Sequence, residues 1–177
     1  MNYLSHYTLP FSGLSEGKHQ FDFTIDDRFF SEFEGSEVEK GKLEIVIELE
    51  KRSTHLKLTF SIKGVVELIC DRCLENFDYS VESDRELLVK FSEKPVEDEA
   101  EMIYLHPTDF QVEAAQYIYE FVILSLPIRR IHPDGENGIS LCDPVMLKKL
   151  EELRHHGRTS EESDDPRWNE LKKISGN

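Results

Sequence analysis

The clearest pattern in the chain is a two-residue alternation across residues 42–62. Leu43, Ile45, Ile47 and Leu49 fall on one side, and Glu44, Glu48 and Glu50 on the other. This is the pattern of a strand with one face covered. Residues 54–62 repeat it through Leu56, Leu58, Phe60 and Ile62, and the short Lys51-Arg52-Ser53 connection predicts an antiparallel hairpin. Earlier, residues 19–25 alternate through Phe21, Phe23 and Ile25. Asp26–Phe30 reads as a turn or short helix, and 31–42, acidic with Gly35 and Gly41, as a loop or broken element. Later, Gly64 interrupts the alternation and Val65–Ile69 runs into Cys70. Residues 77–91 hold further strand material, 93–101 is an acidic loop with Pro95, and 102–105 is a short strand.

The period then changes. Phe110, Ala114, Tyr117, Ile118, Phe121 and Leu124 recur at helical spacing, widened by Val112, Val122 and Ile123, with Thr108 or Asp109 able to cap and Pro127 to end the element. Asp143-Pro144 opens a second helix striped by Met146, Leu147, Leu150 and Leu153, with Asp as cap and Pro at the first helical position. Residues 154–164 lack an apolar face. Asp165-Pro166 repeats the cap signal before Trp168, Leu171 and Ile174, which share a face. Strands early and helices late predict an α+β class. The expected architecture is an antiparallel curved or barrel-like sheet over about 19–105, packed by a helix at 109–126, with C-terminal helices at 143–154 and 165–174. Residues 1–153 read as one domain, and 154–177 as a flexible linker plus a short helix.

Composition narrows the class. Hydrophobic residues are 38% of the chain and charged residues 32%, with 36 Asp plus Glu against 21 Lys plus Arg and a formal net charge of −15. Such a field repels nucleic acid and anionic lipid unless basic residues are segregated, and it attracts basic proteins. The start of the chain does not read as a signal peptide, and no run reaches the ~18 apolar residues of a membrane span. Three cysteines, an odd number, argue for a reducing compartment, so the expected location is cytoplasmic.

The candidate chemistry is sparse. Cys70-Asp71-Arg72-Cys73 supplies two thiols two residues apart, and the remaining cysteine, Cys142, lies ten residues after His132. Cys70, Cys73, His132 and Cys142 are a candidate set of four zinc ligands, because structural zinc takes four Cys or His donors in a tetrahedron. Two other readings stand beside it: reduced structural cysteines, and a redox pair, against which no helical pattern follows Cys73. There is no phosphate loop, no nucleophile elbow and no base–nucleophile pair, so no catalytic residue and no small-molecule substrate is assigned. Basic residues gather in the last third. Arg129, Arg130, Arg167, Lys172 and Lys173, with Trp168 among them, are candidates for contact with RNA or a partner; solvated helix faces with i,i+4 ion pairs are the plainer account of the basic residues.

Three ordered segments resemble a known family. They are Cys70-Asp71-Arg72-Cys73-Leu74, then Leu124-Ser125-Leu126-Pro127-Ile128-Arg129-Arg130, then Asp165-Pro166-Arg167-Trp168 with Leu171-Lys172-Lys173. Together they are similar to the YceD family, known for large-subunit ribosomal RNA accumulation. His132-Pro133-Asp134-Gly135 followed by Cys142-Asp143-Pro144 looks like its Bacteroidetes-type variant. The resemblance covers about residues 15–175. Many members carry a Cys-rich segment after the Leu-Pro motif, where this chain has one Cys and a His, so a metal site here is reduced to three Cys and one His or lost. The resemblance implies a non-enzymatic factor in large-subunit biogenesis, binding precursor ribosomal RNA, a basic ribosomal protein, or both. The alternative is a zinc- or thiol-linked adaptor working through Cys70 and Cys73.

Overall fold

A computed structural model describes residues 3–94, 97, 101–135 and 138–156, with the backbone alone for 155 and 156. After a 3-10 turn at Tyr3–His6 come β1 (Thr8–Pro10), β2 (Gly17–Ile25), α1 (Asp27–Ser31), β3 (Gly41–Lys51), β4 (His55–Ile69) and β5 (Asn76–Phe91). They are followed by β6 (Met102–Leu105), β7 (Gln111–Glu113), α2 (Ala115–Leu124) and α3 (Pro144–His156). The class is α+β, as the separation of periods predicts. Two compact units divide the chain: Met1–Ile69 with Asn76–Arg130, and Cys70–Glu75 with Ile131–Asn177.

In the first unit β2-β3-β4-β5-β6 form one sheet in that order, open at β2 and β6, so it is not a closed barrel. The alternation sets its faces: Leu43, Ile45, Ile47 and Leu49 of β3 and Leu56, Leu58 and Phe60 of β4 are fully buried. Register places Ile47 opposite Phe60 and Leu49 opposite Leu58, so the two apolar rows share a face. The rings of Phe60 and Phe121 meet edge to face at 5.0 Å, which seats α2 on that face. Asp26 caps α1, its carboxylate accepting the Arg28 N–H at 3.1 Å. Phe33, just past α1, stacks on Tyr119 of α2 with centroids 4.1 Å apart.

Four expectations are corrected. Gly64 does not end a strand. β4 runs through it for 15 residues with every inward position still even-numbered, because a backbone without a Cβ lets the chain pass Lys42 and Leu43. The sheet is not wholly antiparallel, since β6 pairs with β5 in parallel, Val89 beside Ile103. The expected helix at 109–126 is shorter. Residues 111–113 form β7, which pairs antiparallel with β1 and buries Val112 opposite Leu9. The carboxylate of Asp109 accepts the His106 N–H instead of capping a helix, and Phe110 is exposed instead of facing the core. α3 reaches His156, two residues beyond the expected end at 154. The expected helix at 165–174 lies outside the described residues.

In the second unit, α3 starts as the sequence predicts. The Asp143 carboxylate accepts the Val145 N–H at 3.0 Å, its carbonyl accepts the Leu147 N–H at 3.0 Å, and Pro144 occupies the first turn.

Phe60→Ala should lower unfolding free energy by about 3–5 kcal/mol, because it opens a cavity under α2. Gly64→Ala should cost about 2 kcal/mol or more, because its Cβ would meet backbone, with Leu43 Cα at 2.6 Å. Gly13→Ala, with nothing within 4 Å of its new Cβ, should stay within about 0.5 kcal/mol. Urea unfolding midpoints at constant m-value check all three.

Candidate metal centre

Cys70–Glu75 is the six-residue connection between β4 and β5, and it belongs to the second unit. Its backbone folds around the first cysteine. Cys70 N–H donates to the Glu75 carbonyl at 2.9 Å, Leu74 N–H donates to the Cys70 carbonyl at 2.9 Å, and Arg72 N–H points at the Cys70 sulfur at 3.5 Å. Closing this turn puts Leu74 at φ 63°, the left-handed region in which Leu is disfavoured, with its side chain 68% exposed. No helix follows Cys73; β5 begins at Asn76.

The second half of the centre is another tight reversal. Asp134 pairs with Ser140 in an isolated bridge, Gly135 N–H donates to the Ile139 carbonyl at 2.8 Å, and Gly138 turns the chain at φ 68°. This returns Cys142 to His132, and Cys142 N–H donates to the Ser140 hydroxyl at 3.3 Å. Asp143 then caps α3, so one ligand sits directly before a rigid helix.

The structure brings all four expected ligands together: the donor atoms of Cys70, Cys73, His132 and Cys142 lie within 4.8 Å of one another. Cys70 and Cys142 sulfurs are 3.7 Å apart, Cys73 sulfur is 3.4 Å from His132 Nδ1, and Cys142 sulfur is 3.7 Å from the same nitrogen. Zn–S bonds of about 2.3 Å and Zn–N bonds of about 2.0–2.1 Å, set tetrahedrally, require S···S edges of about 3.8 Å and S···N edges of about 3.6 Å. The three distances therefore match edges of a zinc-sized tetrahedron. The 3.7 Å between the Cys70 and Cys142 sulfurs is too long for a disulfide, whose S–S length is about 2.05 Å, and all three thiols are free. The cysteines are buried and His132 is half-buried.

The two thiols of the turn are shifted in opposite directions. Burial pushes the Cys70 thiol up, but the N–H groups of Cys73, Arg72 and His132, together with the His132 ring, outweigh it and bring the thiol down to about 6. Burial holds the Cys73 thiol above its ordinary value, opposed by the N–H groups of Glu75 and Asp143 and reinforced by the neighbouring thiols. Three sulfurs crowded together repel one another as anions, and a divalent ion between them removes that repulsion.

A family model described as "Large ribosomal RNA subunit accumulation protein YceD" matches residues 58–175. The chain belongs to the YceD family. The match begins within β4 and takes in both halves of the centre, so the four ligands lie inside the family region. No curated protein matches the chain, and no solved structure does.

The other expected site residues fall differently. Arg129 and Arg130 follow α2 in the first unit; Arg129 is exposed and Arg130 forms an ion pair with Glu37. That pairing has no local signal, since 93 residues separate the two. Arg167, Trp168, Lys172 and Lys173 lie outside the described residues. Two surface cavities of about 480 and 410 Å³ in the first unit have neither His nor Cys in their linings. No described helix is long and apolar enough to cross a membrane. The strained Leu74 and the Ser140 hydroxyl are participants that sequence reasoning missed. A left-handed residue after Cys-x-x-Cys is the signal that could have found the first.

Leu74→Gly should raise stability by about 0.5–1 kcal/mol by releasing the left-handed strain, net of glycine's greater freedom when unfolded. Leu74→Val should lower it by about 1 kcal/mol, because a branched Cβ fits that region worse. Thermal melts of the two variants beside the parent check the sign of each.

Proposed function

We propose that this YceD-family chain is a non-catalytic factor in large ribosomal subunit biogenesis, with Cys70, Cys73, His132 and Cys142 holding one structural zinc ion. The observation that carries the role is the family match across residues 58–175. Three donor separations of the length of zinc-tetrahedron edges support zinc. Four protein donors fill its usual coordination and leave no open position for water or substrate, which favours a staple over a catalytic ion.

The partners that suit the chain are a basic ribosomal protein and precursor large-subunit RNA. The solvent side of the main sheet is acidic: β3 presents Glu44, Glu48 and Glu50, and β5 presents Glu82, Asp84 and Glu86. Lys18, Arg52, Lys57 and Lys63 pair with Glu48, Glu50, Glu86 and Glu82, so Glu44 and Asp84 carry the excess of negative charge. A positively charged protein fits that face better than phosphate does. RNA, where bound directly, would meet Arg129, Arg130, Arg167, Lys172 and Lys173, with Trp168 available for stacking. The alternative reading makes Cys70 and Cys73 the working groups of a thiol-linked adaptor, and the lowered Cys70 thiol is the observation in its favour.

Three outcomes are expected. A tagged pull-down from native lysate should recover large-subunit RNA and ribosomal proteins, with at least one protein surviving RNase; a reproducible eluate without ribosomal material rejects the role. Chain purified without chelators should carry about one equivalent of zinc. Cys70→Ser should lose it together with about 2 kcal/mol or more of stability. Metal-free chain of unchanged stability, trapped in mixed disulfides with other proteins, would favour the adaptor. Replacing Arg129 and Arg130 with Ala should flatten the salt slope of RNA binding by about 0.7–0.9 for each phosphate that the arginines neutralise, and an unchanged slope removes them from the RNA surface.

A further inference from the structure

The edge strand β2 leaves one row of its backbone groups unpaired. Arg52 N–H donates to the His55 carbonyl at 3.0 Å, and Glu67 N–H to the Lys40 carbonyl at 2.9 Å. Both pairs continue the register of β3 with β4, so even-numbered residues of β3 bond to β4 and odd-numbered ones to β2. Odd residues of β3 lie opposite odd residues of β2, Ile47 beside Phe21 and Ile45 beside Phe23. The even-numbered residues of β2 therefore turn their N–H and C=O groups away from β3, along the open edge. The Tyr7 hydroxyl marks that direction at one end, donating to the Thr24 carbonyl at 3.3 Å. Among the described residues, nothing bonds to the outward backbone of Lys18, Gln20 and Asp22.

This edge carries little protection against pairing. β2 is nine residues long, against four for β6 at the other end of the sheet. Its register with β3 runs without a bulge, and it holds no proline. Natural sheets also block an edge with charges on the inward face. The inward residues here are His19, Phe21, Phe23 and Ile25, and both phenylalanines are only half-buried. On the solvent side, Lys18 and Asp22 carry opposite charges at equal distances from Gln20. An antiparallel copy of the same strand centred on Gln20 sets each Lys18 opposite the second copy's Asp22, and each Phe21 opposite the second copy's His19. Centring on Asp22 would set two carboxylates against each other. Centring on Phe21 would pair Lys18 with Thr24, whose outward carbonyl already accepts from Tyr7. Lys18 bonds Glu48 at 2.8 Å through side chains open to solvent, which leaves it able to meet Asp22 as well. The net charge of −15 opposes association at long range, but salt screens it within about 8 Å, and Lys18 and Asp22 balance at the edge itself.

We infer that β2 is an interface for a second copy of this chain, two strands pairing antiparallel about a two-fold axis at Gln20 and continuing the sheet from one molecule into the next. Lys18 and Asp22 of each copy exchange both backbone bonds with Asp22 and Lys18 of the other, and the two Gln20 residues with each other. The pairing needs neither a ribosomal partner nor zinc, so it stands or falls separately from the proposed function.

Sedimentation equilibrium of the 177-residue chain tests it. The weight-average mass should rise with concentration towards twice that of the chain. Gln20→Pro removes an outward N–H without touching the ladder to β3, and should give a monomer with an unchanged circular dichroism spectrum. Lys18→Asp and Asp22→Lys each place like charges opposite one another, and should each raise the dissociation constant about tenfold or more. Combining the two restores opposite charges across the axis and should return the constant towards that of the parent. Such a rescue does not arise within one chain, because residues 18 and 22 stand about 13 Å apart along the strand. A parent chain that stays monomeric overturns the inference. A dimer undisturbed by Gln20→Pro also overturns it, because the contact then lies elsewhere. So does a double variant no tighter than the single ones, and the charge variants decide the matter whether or not Gln20→Pro folds.

Discussion

One parity rule holds the first unit together. On β4 every inward position from Leu56 to Leu68 is even-numbered, and its partners on β3 and β5 are odd-numbered residues facing the same way. A slip of one residue would expose Leu58, Phe60 and Ile62 together, so hydrophobic burial fixes the register along the whole strand. That register ends at Ile69 opposite Asn76 and leaves six residues for the connection. The length of the cysteine turn is thus set by packing along the hairpin. Cys70 and Cys73 both fall within that turn.

The sequence spoke most clearly where a single periodicity persisted. β3 and the first half of β4 were legible because four consecutive alternate positions are aliphatic or aromatic. The Asp143-Pro144 cap was legible because both residues have one favoured place at a helix start. Gly64 misled because a glycine in a strand signals either a break or a close approach, and only the proximity of Lys42 and Leu43 decides between them. β1 and β7 span three residues each, too few for a period to register. Their existence depends on the long-range pairing of Leu9 with Val112. That pairing also took Phe110 and Val112 away from the helix whose face they extend in the sequence.

The centre shows the same division between local and distant information. Cys-x-x-Cys was visible as a half-site. Its completion by His132 and Cys142 could be named only as one candidate among other readings, because the nine residues between them exceed an ordinary ligand spacing. The reversal through Gly135 and Gly138 absorbs the excess and returns Cys142 to the histidine. Burial of three thiolates without a counter-charge would be electrostatically costly, whereas backbone N–H groups converging on Cys70 stabilise a thiolate there. At Cys70 the surrounding backbone favours sulfur in its anionic form.

The order of the ligands along the chain has a consequence during synthesis. Cys73 and His132 are 59 residues apart, and Cys70 and Cys142 are 72 apart. At translation rates of about 5–20 residues per second, the paired thiols leave the exit tunnel roughly 3–14 seconds before the centre can close. Through that interval the nascent polypeptide displays a bare dithiol with no imidazole to complete it. Whatever reacts with thiols therefore meets this molecule first as a growing chain, before it is a finished fold.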